Sequence, residues 1–248
     1  MRRTVLVAAL CALMGAPAWG DMTVYVKEVS VSPGQSVSFV SSGLDASSTA
    51  GVYNLYLSGV AGVPASWTPY LSGNVQSFCI DLYNYSSTST KLYDIMSLDD
   101  TPDTPAGPMG SVRAGYLARL FDMYWTPSLT AANAAALQIA VWEIVDEQHG
   151  VANPDPAKWN ARNDTAGGLP PSGNFYVGND TQANLANTML GAVRTAGMAP
   201  FADKYVGLSN DDLDLYYQDF VVKVPVPGAL LLGFLGLSAA GLRLRRFA

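Results

Sequence analysis

The segment that decides the fold reads TAANAAALQIAVWEIVDE and spans residues 130–147. It is rich in residues that favour the helical backbone, and Thr130 or Ser128 can cap the first turn with its hydroxyl. Around Gln138, the positions three, four and seven residues away are all alanine, valine or tryptophan. The segment therefore predicts an apolar helix whose central primary amide needs hydrogen-bond partners.

Short strands are predicted on the N-terminal side of this helix. Stretches of alternating apolar and polar residues, separated by glycine, serine and proline, occupy residues 22–29, 37–40, 52–57 and 75–83. In the last of these strands, Phe78, Ile80 and Leu82 point one way, with Ser77, Cys79 and Asp81 on the other face.

Two further helices and one late strand complete the prediction. Ser111 is expected to cap a helix that ends at Tyr124, and the other elements span residues 180–195 and 215–222. Long loops are expected at residues 98–110 and 150–173. No internal repeat is present. The predicted fold is α+β, with a β-rich N-terminal part, a helical middle and a returning strand.

Composition excludes several classes of protein. An apolar fraction of 49% over 248 residues argues against disorder, and the one histidine, His149, excludes a histidine-rich metal site. We expect no cofactor and no metal. Residues 21–223 contain nine basic and twenty acidic residues, a net charge of −11 that repels phosphate backbones and argues against a nucleic-acid partner.

Residues 1–20 have the pattern of a secretory signal peptide. Arg2 and Arg3 precede a short apolar stretch at residues 5–14, and Ala18 and Gly20 provide the small residues of a cleavage site. A membrane anchor would need about 20 apolar residues, more than this stretch offers. Cleavage would leave Cys79 as the one cysteine of the exported chain, which then forms no intramolecular disulfide.

Residues 224–248 predict a membrane-spanning sorting segment. A Val-Pro-Val-Pro-Gly motif precedes an apolar stretch to Leu242, and three arginines follow that favour the cytoplasmic side. An ordinary C-terminal anchor is the simpler interpretation. The order of these features resembles the PEP-CTERM sorting signal, with Val226 in place of the usual glutamate. The resemblance implies export in a Gram-negative bacterium, processing by an exosortase, and a place at the cell surface or in the extracellular matrix.

Two motifs in residues 21–223 resemble those of the thioester domains of bacterial surface adhesins. The first is Phe78-Cys79-Ile80 and the second is Leu137-Gln138-Ile139-Ala140-Val141-Trp142. Many members have threonine where this chain has Leu137. In that family the cysteine on a strand and the glutamine on a helix condense to an internal thioester. The resemblance implies a Cys79–Gln138 cross-link, with Phe78, Ile80, Val141 and Trp142 as supporting residues.

A thioester of this kind is a stored acyl donor. A lysine amine, a polyamine or a hydroxyl of a partner protein or surface polymer would displace Cys79 and become joined to Gln138. Each molecule would react once, so the resemblance implies covalent attachment and adhesion rather than an enzyme.

Other interpretations remain open. Gln138 can be a core amide bonded to a neighbouring strand, in a non-reactive matrix or carbohydrate-binding module with Cys79 as a buried thiol. Cys79 and His149 can form a hydrolase dyad, oriented by Asp146 or Asp155. The acidic loops can bind calcium, or they are solvated turns; they contain Asp99, Asp100, Asp103, Asn210, Asp211, Asp212 and Asp214. A sugar-stacking surface can form from Tyr83, Tyr85, Trp67 and Tyr70.

Overall fold

The computed structural model describes residues 22–41, 44–102, 107–148, 150–162, 175–178, 180–200, 203–210 and 217–225. The predicted signal peptide and residues 226–248 of the predicted sorting segment lie outside these ranges. Among the described residues, no helix has both the length and the apolar character that crossing a membrane requires.

The described chain forms seven strands and three α-helices. The strands are β1 (Thr23–Ser41), β2 (Leu44–Ala61), β3 (Gly73–Cys79), β4 (Lys91–Ser97), β5 (Phe175–Val177), β6 (Tyr205–Asn210) and β7 (Tyr217–Lys223). The helices are α1 (Gly110–Tyr124), α2 (Ala131–Asp146) and α3 (Asp180–Ala196). The predicted α+β class, with a β-rich N-terminal part and a helical middle, is confirmed.

Six of the strands close into an antiparallel ring. The strand order is β2-β3-β7-β6-β4-β1, and β1 also pairs with β2 and so completes the ring. Tyr53, Tyr93 and Phe220 pack together, with ring centroids 5.3 and 6.2 Å apart. The short strand β5 pairs with the C-terminal end of β1. Tyr53, Tyr93 and Phe220 are buried, and they form part of one continuous core.

The N-terminal strands differ from the prediction. The segments expected as separate strands at residues 22–29 and 37–40 both belong to β1, which begins at Thr23 and pairs with β2 along nearly its whole length. Pro33 and Gly34, which we interpreted as a break, lie where the register shifts between Val31 and Gly34. A bulge lets proline remain inside a strand without losing the pairing on either side.

Helix α2 agrees closely with the prediction. The Thr130 side chain accepts a hydrogen bond from the Asn133 backbone N–H, which makes Thr130 rather than Ser128 the cap. Every residue from Ala134 to Asp146 is buried, because the helix packs against β1, β2, β3 and α3. The cap predicted for α1 is wrong: that helix begins at Gly110, so Ser111 lies inside its first turn.

Candidate functional site

Cys79 lies where β3 changes partners. Pairing with β2 ends at Ser77, opposite Tyr53, whereas Cys79 pairs with Phe220 of β7 on the other side. The predicted strand to Tyr83 therefore ends four residues early. Beyond Ser77, β2 no longer supplies partners for the peptide groups of β3 that face it, and buried peptide groups require such partners.

Gln138 of α2 takes the place of the missing strand. Its Oε1 accepts a hydrogen bond from the Cys79 backbone N–H at 2.9 Å, and its Nε2 donates to the Cys79 carbonyl at 2.7 Å. Both residues are 0% exposed. The carboxamide thus completes the hydrogen bonding of the Cys79 peptide, and the two residues separated by 59 positions in sequence are in direct contact.

The Cys79 thiol has its own set of contacts. It donates to the Asp81 carbonyl at 2.8 Å, and the indole N–H of Trp142 donates to Sγ at 3.4 Å. Burial raises the pKa of the thiol well above its ordinary value, the nearby Asp81 charge raises it further, and the Trp142 hydrogen bond opposes both. The thiol is therefore neutral at physiological pH, and the indole N–H favours its ionised form.

The segment after Cys79 is fixed by a polar network. The Asp81 carboxylate accepts hydrogen bonds from the Tyr83 backbone N–H at 2.8 Å and from the Asn84 amide at 2.7 Å. Gln218 of β7 donates its amide to the Asp81 carbonyl at 2.9 Å. These contacts hold the carbonyl that accepts the hydrogen bond from the thiol, and they tie it to the sheet.

A second network joins the end of α2 to the same segment. Asp146 accepts hydrogen bonds from the Tyr83 hydroxyl at 2.7 Å and from the Ser41 hydroxyl at 2.5 Å. We had considered Asp146 only as a partner for His149, and we did not predict Asp81 or Gln218 as parts of the site. Polar residues at positions that the apolar pattern assigns to the interior were the available signal.

A surface pocket lies beside Trp142. Its walls include Phe39, Tyr53, Tyr83, Trp142 and Gln218, together with serines of β2 and of the segment after Tyr85. Trp142 therefore contacts the thiol through its N–H and also borders the pocket. Neither Cys79 nor Gln138 is among the described residues that line the pocket.

The predicted supporting residues take different positions. Ile80 and Trp142 line a small cavity together with Asp81 and Tyr83. Val141 is buried in α2. The Phe78 ring points to the opposite side of β3 from the thiol and contacts Phe121 and Trp125, with centroids 5.7 and 4.9 Å away.

The structure describes only some residues of the alternative sites. His149 lies outside the described residues, and Asp155 accepts a hydrogen bond from the Ala157 N–H. Asp99 and Asp100 both accept from the Ser97 hydroxyl. Asp103, Asp211, Asp212 and Asp214 also fall outside, and the described part of the chain contains no cluster of ligands suited to a metal ion.

The predicted sugar-stacking surface does not form as one patch. Trp67 is buried, Tyr83 and Tyr85 border the pocket beside Trp142, and Tyr70 lies in a different groove.

Comparisons with known proteins add little to this geometry. No protein-family model matches the sequence, and no curated protein matches it. Among solved structures, the chain is similar to the N-terminal domain of the Streptococcus pyogenes pilus tip adhesin Cpa, with 16% identity and a TM-score of 0.37. The alignment covers 81% of this chain and 98% of the adhesin chain. A similarity of this size carries no inference about function, which rests on the contacts given above.

Proposed function

We propose that this protein attaches covalently to a partner through a thioester between Cys79 and Gln138. The contact between the Gln138 carboxamide and the Cys79 peptide carries the proposal. The nucleophile is the Cys79 sulfur, and the backbone of the same residue holds the electrophile, the Gln138 side-chain carbonyl. Proximity of this kind replaces an encounter between separate groups with a local step.

The condensation balances without a cofactor. The Cys79 sulfur attacks the side-chain carbonyl carbon of Gln138, the carbon–nitrogen bond breaks, and the nitrogen leaves as ammonia with the thiol proton. The Cys79 backbone N–H, 2.9 Å from Oε1, is placed to stabilise negative charge that develops on that oxygen. The Trp142 N–H supports the thiolate that makes the attack.

Attachment is the reverse exchange with a different nucleophile. An amine of a partner attacks the same carbonyl, the carbon–sulfur bond breaks, and the amine proton passes to the Cys79 sulfur. A hydroxyl would give an ester by the same route. Because Cys79 and Gln138 are fully buried, the bond is shielded from bulk water. The exported location, the surface or matrix role and the exosortase-dependent anchor belong to the same proposal.

A second candidate is a non-reactive matrix module. The observation that favours it is that both polar atoms of Gln138 already have partners. A buried amide with two good hydrogen bonds is sufficient reason for glutamine at this position.

Intact mass spectrometry of the purified protein separates the two candidates. A thioester lowers the mass by about 17 Da, the mass of ammonia, and methylamine then adds one methylamine per chain. Cys79→Ala should have the full expected mass and accept no methylamine. A wild-type chain of full mass, with one thiol that reacts after denaturation and no adduct, would assign the non-reactive function.

A further inference from the structure

The sheet opens between β3 and β7, on the side of β3 away from the thiol. Their register consists of Phe78 with Val221 and Cys79 with Phe220. Gln76 and Lys223 would be opposite each other if this pairing continued, but the two described strands are not paired there. A groove occupies the opening and is lined by Pro69, Tyr70, Asn74, Val75, Gln76, Trp125, Pro127, Val222 and Lys223.

Two side-chain amides line this groove and have no hydrogen-bond partner among the described residues. Asn74 and Gln76 are two residues apart on β3, so their side chains share one face of the strand. Neither amide hydrogen-bonds to any of the described residues, in contrast to Gln138 and Gln218. Each therefore offers a donor and an acceptor to a bound molecule.

Aromatic rings border the same groove. Tyr70 is 50% exposed, next to Pro69. Trp125 is half-buried and fixed by its neighbours, with ring centroids 4.9 Å from Phe78 and 5.0 Å from Phe121. A ring held in this way loses little conformational freedom when a ligand contacts it.

We propose that this groove is a non-covalent binding site for a neutral polysaccharide. Sugar hydroxyls donate and accept hydrogen bonds, as the Asn74 and Gln76 amides can, and the C–H faces of a sugar ring match the electron-rich faces of aromatic rings. Among the described residues, Lys223 is the one charged side chain that lines the groove, and the net charge of −11 over residues 21–223 disfavours a polyanion.

The inference goes beyond the proposed covalent function and does not depend on it. The groove is on the Phe78 side of β3, whereas the thiol contacts Asp81 and Trp142. A polymer held here without a covalent bond would be concentrated near the molecule, whether or not the thioester forms. Binding through the groove must therefore persist in Cys79→Ala.

Affinity electrophoresis of the full chain tests the site. Gels that contain a dextran, a soluble β-glucan or a galactomannan should retard the wild type and Cys79→Ala equally. Tyr70→Ala and Asn74→Ala should each weaken the retardation by about tenfold in apparent dissociation constant. Tyr85→Ala is the matched control, because Tyr85 is 88% exposed and borders the other pocket. Thermal melting of each variant checks that it is folded.

Each of the following results would overturn the proposal. They are the absence of retardation by all three polymers, retardation that Tyr85→Ala removes and Tyr70→Ala does not, and retardation by the polyanion alginate alone. A Val-Pro-Val-Pro-Gly peptide that bound through Tyr70, with no polymer binding, would assign the groove to a proline-rich segment instead. Loss of retardation in Cys79→Ala would show that capture is covalent.

Discussion

Methylamine should lower the thermal stability of the wild-type protein if the thioester is present. The bond would close a loop between positions 59 residues apart, and opening it returns conformational entropy to the unfolded chain. The chain-entropy relation gives about 4 kcal/mol for a loop of this length. For a domain of this size, that change corresponds to a fall in Tm of about 10 °C.

The folded state should change much less than the unfolded state. Methylamine converts the Gln138 side chain to an N-methyl amide, which keeps an acceptor for the Cys79 N–H and one donor for the Cys79 carbonyl. The difference in Tm therefore reports mainly the lost cross-link.

Scanning calorimetry of the wild type and of Cys79→Ala, with and without amine treatment, makes the measurement. Wild type treated with methylamine should melt about 10 °C below untreated wild type, while Cys79→Ala should be unaffected by the same treatment. Trimethylamine, a cation that forms no amide, should leave the wild type unchanged. Equal melting of treated and untreated wild type, after confirmation that methylamine was incorporated, would refute the cross-link as a source of stability.

Four further substitutions test packing, three of them in α2 and one in β6. Gln138→Leu removes both partners of the buried Cys79 peptide, so urea denaturation should show that the free energy of unfolding falls by about 2–4 kcal/mol. Gln138→Glu should lose less stability at acidic pH, where its neutral carboxylic acid can keep both hydrogen bonds. Burial and neighbouring acids raise the pKa of Glu143, so the folded protein loses stability as the pH rises above the ordinary pKa of a glutamate. Glu143→Gln should therefore raise Tm more at pH 8 than at pH 4. Equal shifts at the two pH values would contradict this. Gly207→Ala should destabilise by about 1–3 kcal/mol in the same denaturation assay, because its new methyl group would overlap the Thr101 side chain, and wild-type stability would show that the contact relaxes.

Local chemistry was enough to predict the elements that carry the site. The capping hydroxyl of Thr130 and the apolar residues around Gln138 predicted α2 and the burial of its central amide. The alternating pattern up to Cys79 predicted a strand, although not its end. These features depend on neighbours within a few residues, which a sequence displays directly.

The closed ring of strands could not be read in the same way. Strands β4 and β6 are short, and their pairing with each other and with β1 and β7 depends on residues far apart in the chain. The bulge at Pro33 shows a related limit, since proline and glycine indicate a turn locally but a long partner strand holds them in β1.

The sequence predicted that Cys79 and Gln138 lie close together, but not how they are hydrogen-bonded. The sequence pointed to Cys79 and Gln138 through their apolar surroundings and motifs. It gave no sign that the amide would hydrogen-bond to the Cys79 peptide, or that the Asp81 carbonyl, held by Gln218, would accept a hydrogen bond from the thiol. Those contacts arise where three strands meet one helix.

The thiol, rather than the amide, distinguishes the two candidate functions. A non-reactive module needs only the peptide of residue 79 to hold Gln138, and any small apolar side chain would fill the space. Here the thiol also donates a hydrogen bond to the Asp81 carbonyl and accepts one from Trp142. These contacts fix the position of the sulfur, and the backbone of the same residue holds the Gln138 carboxamide. Core packing alone does not require an indole N–H directed at sulfur, whereas an attack by that sulfur on the Gln138 carbonyl benefits from it, because the N–H favours the thiolate over the buried thiol.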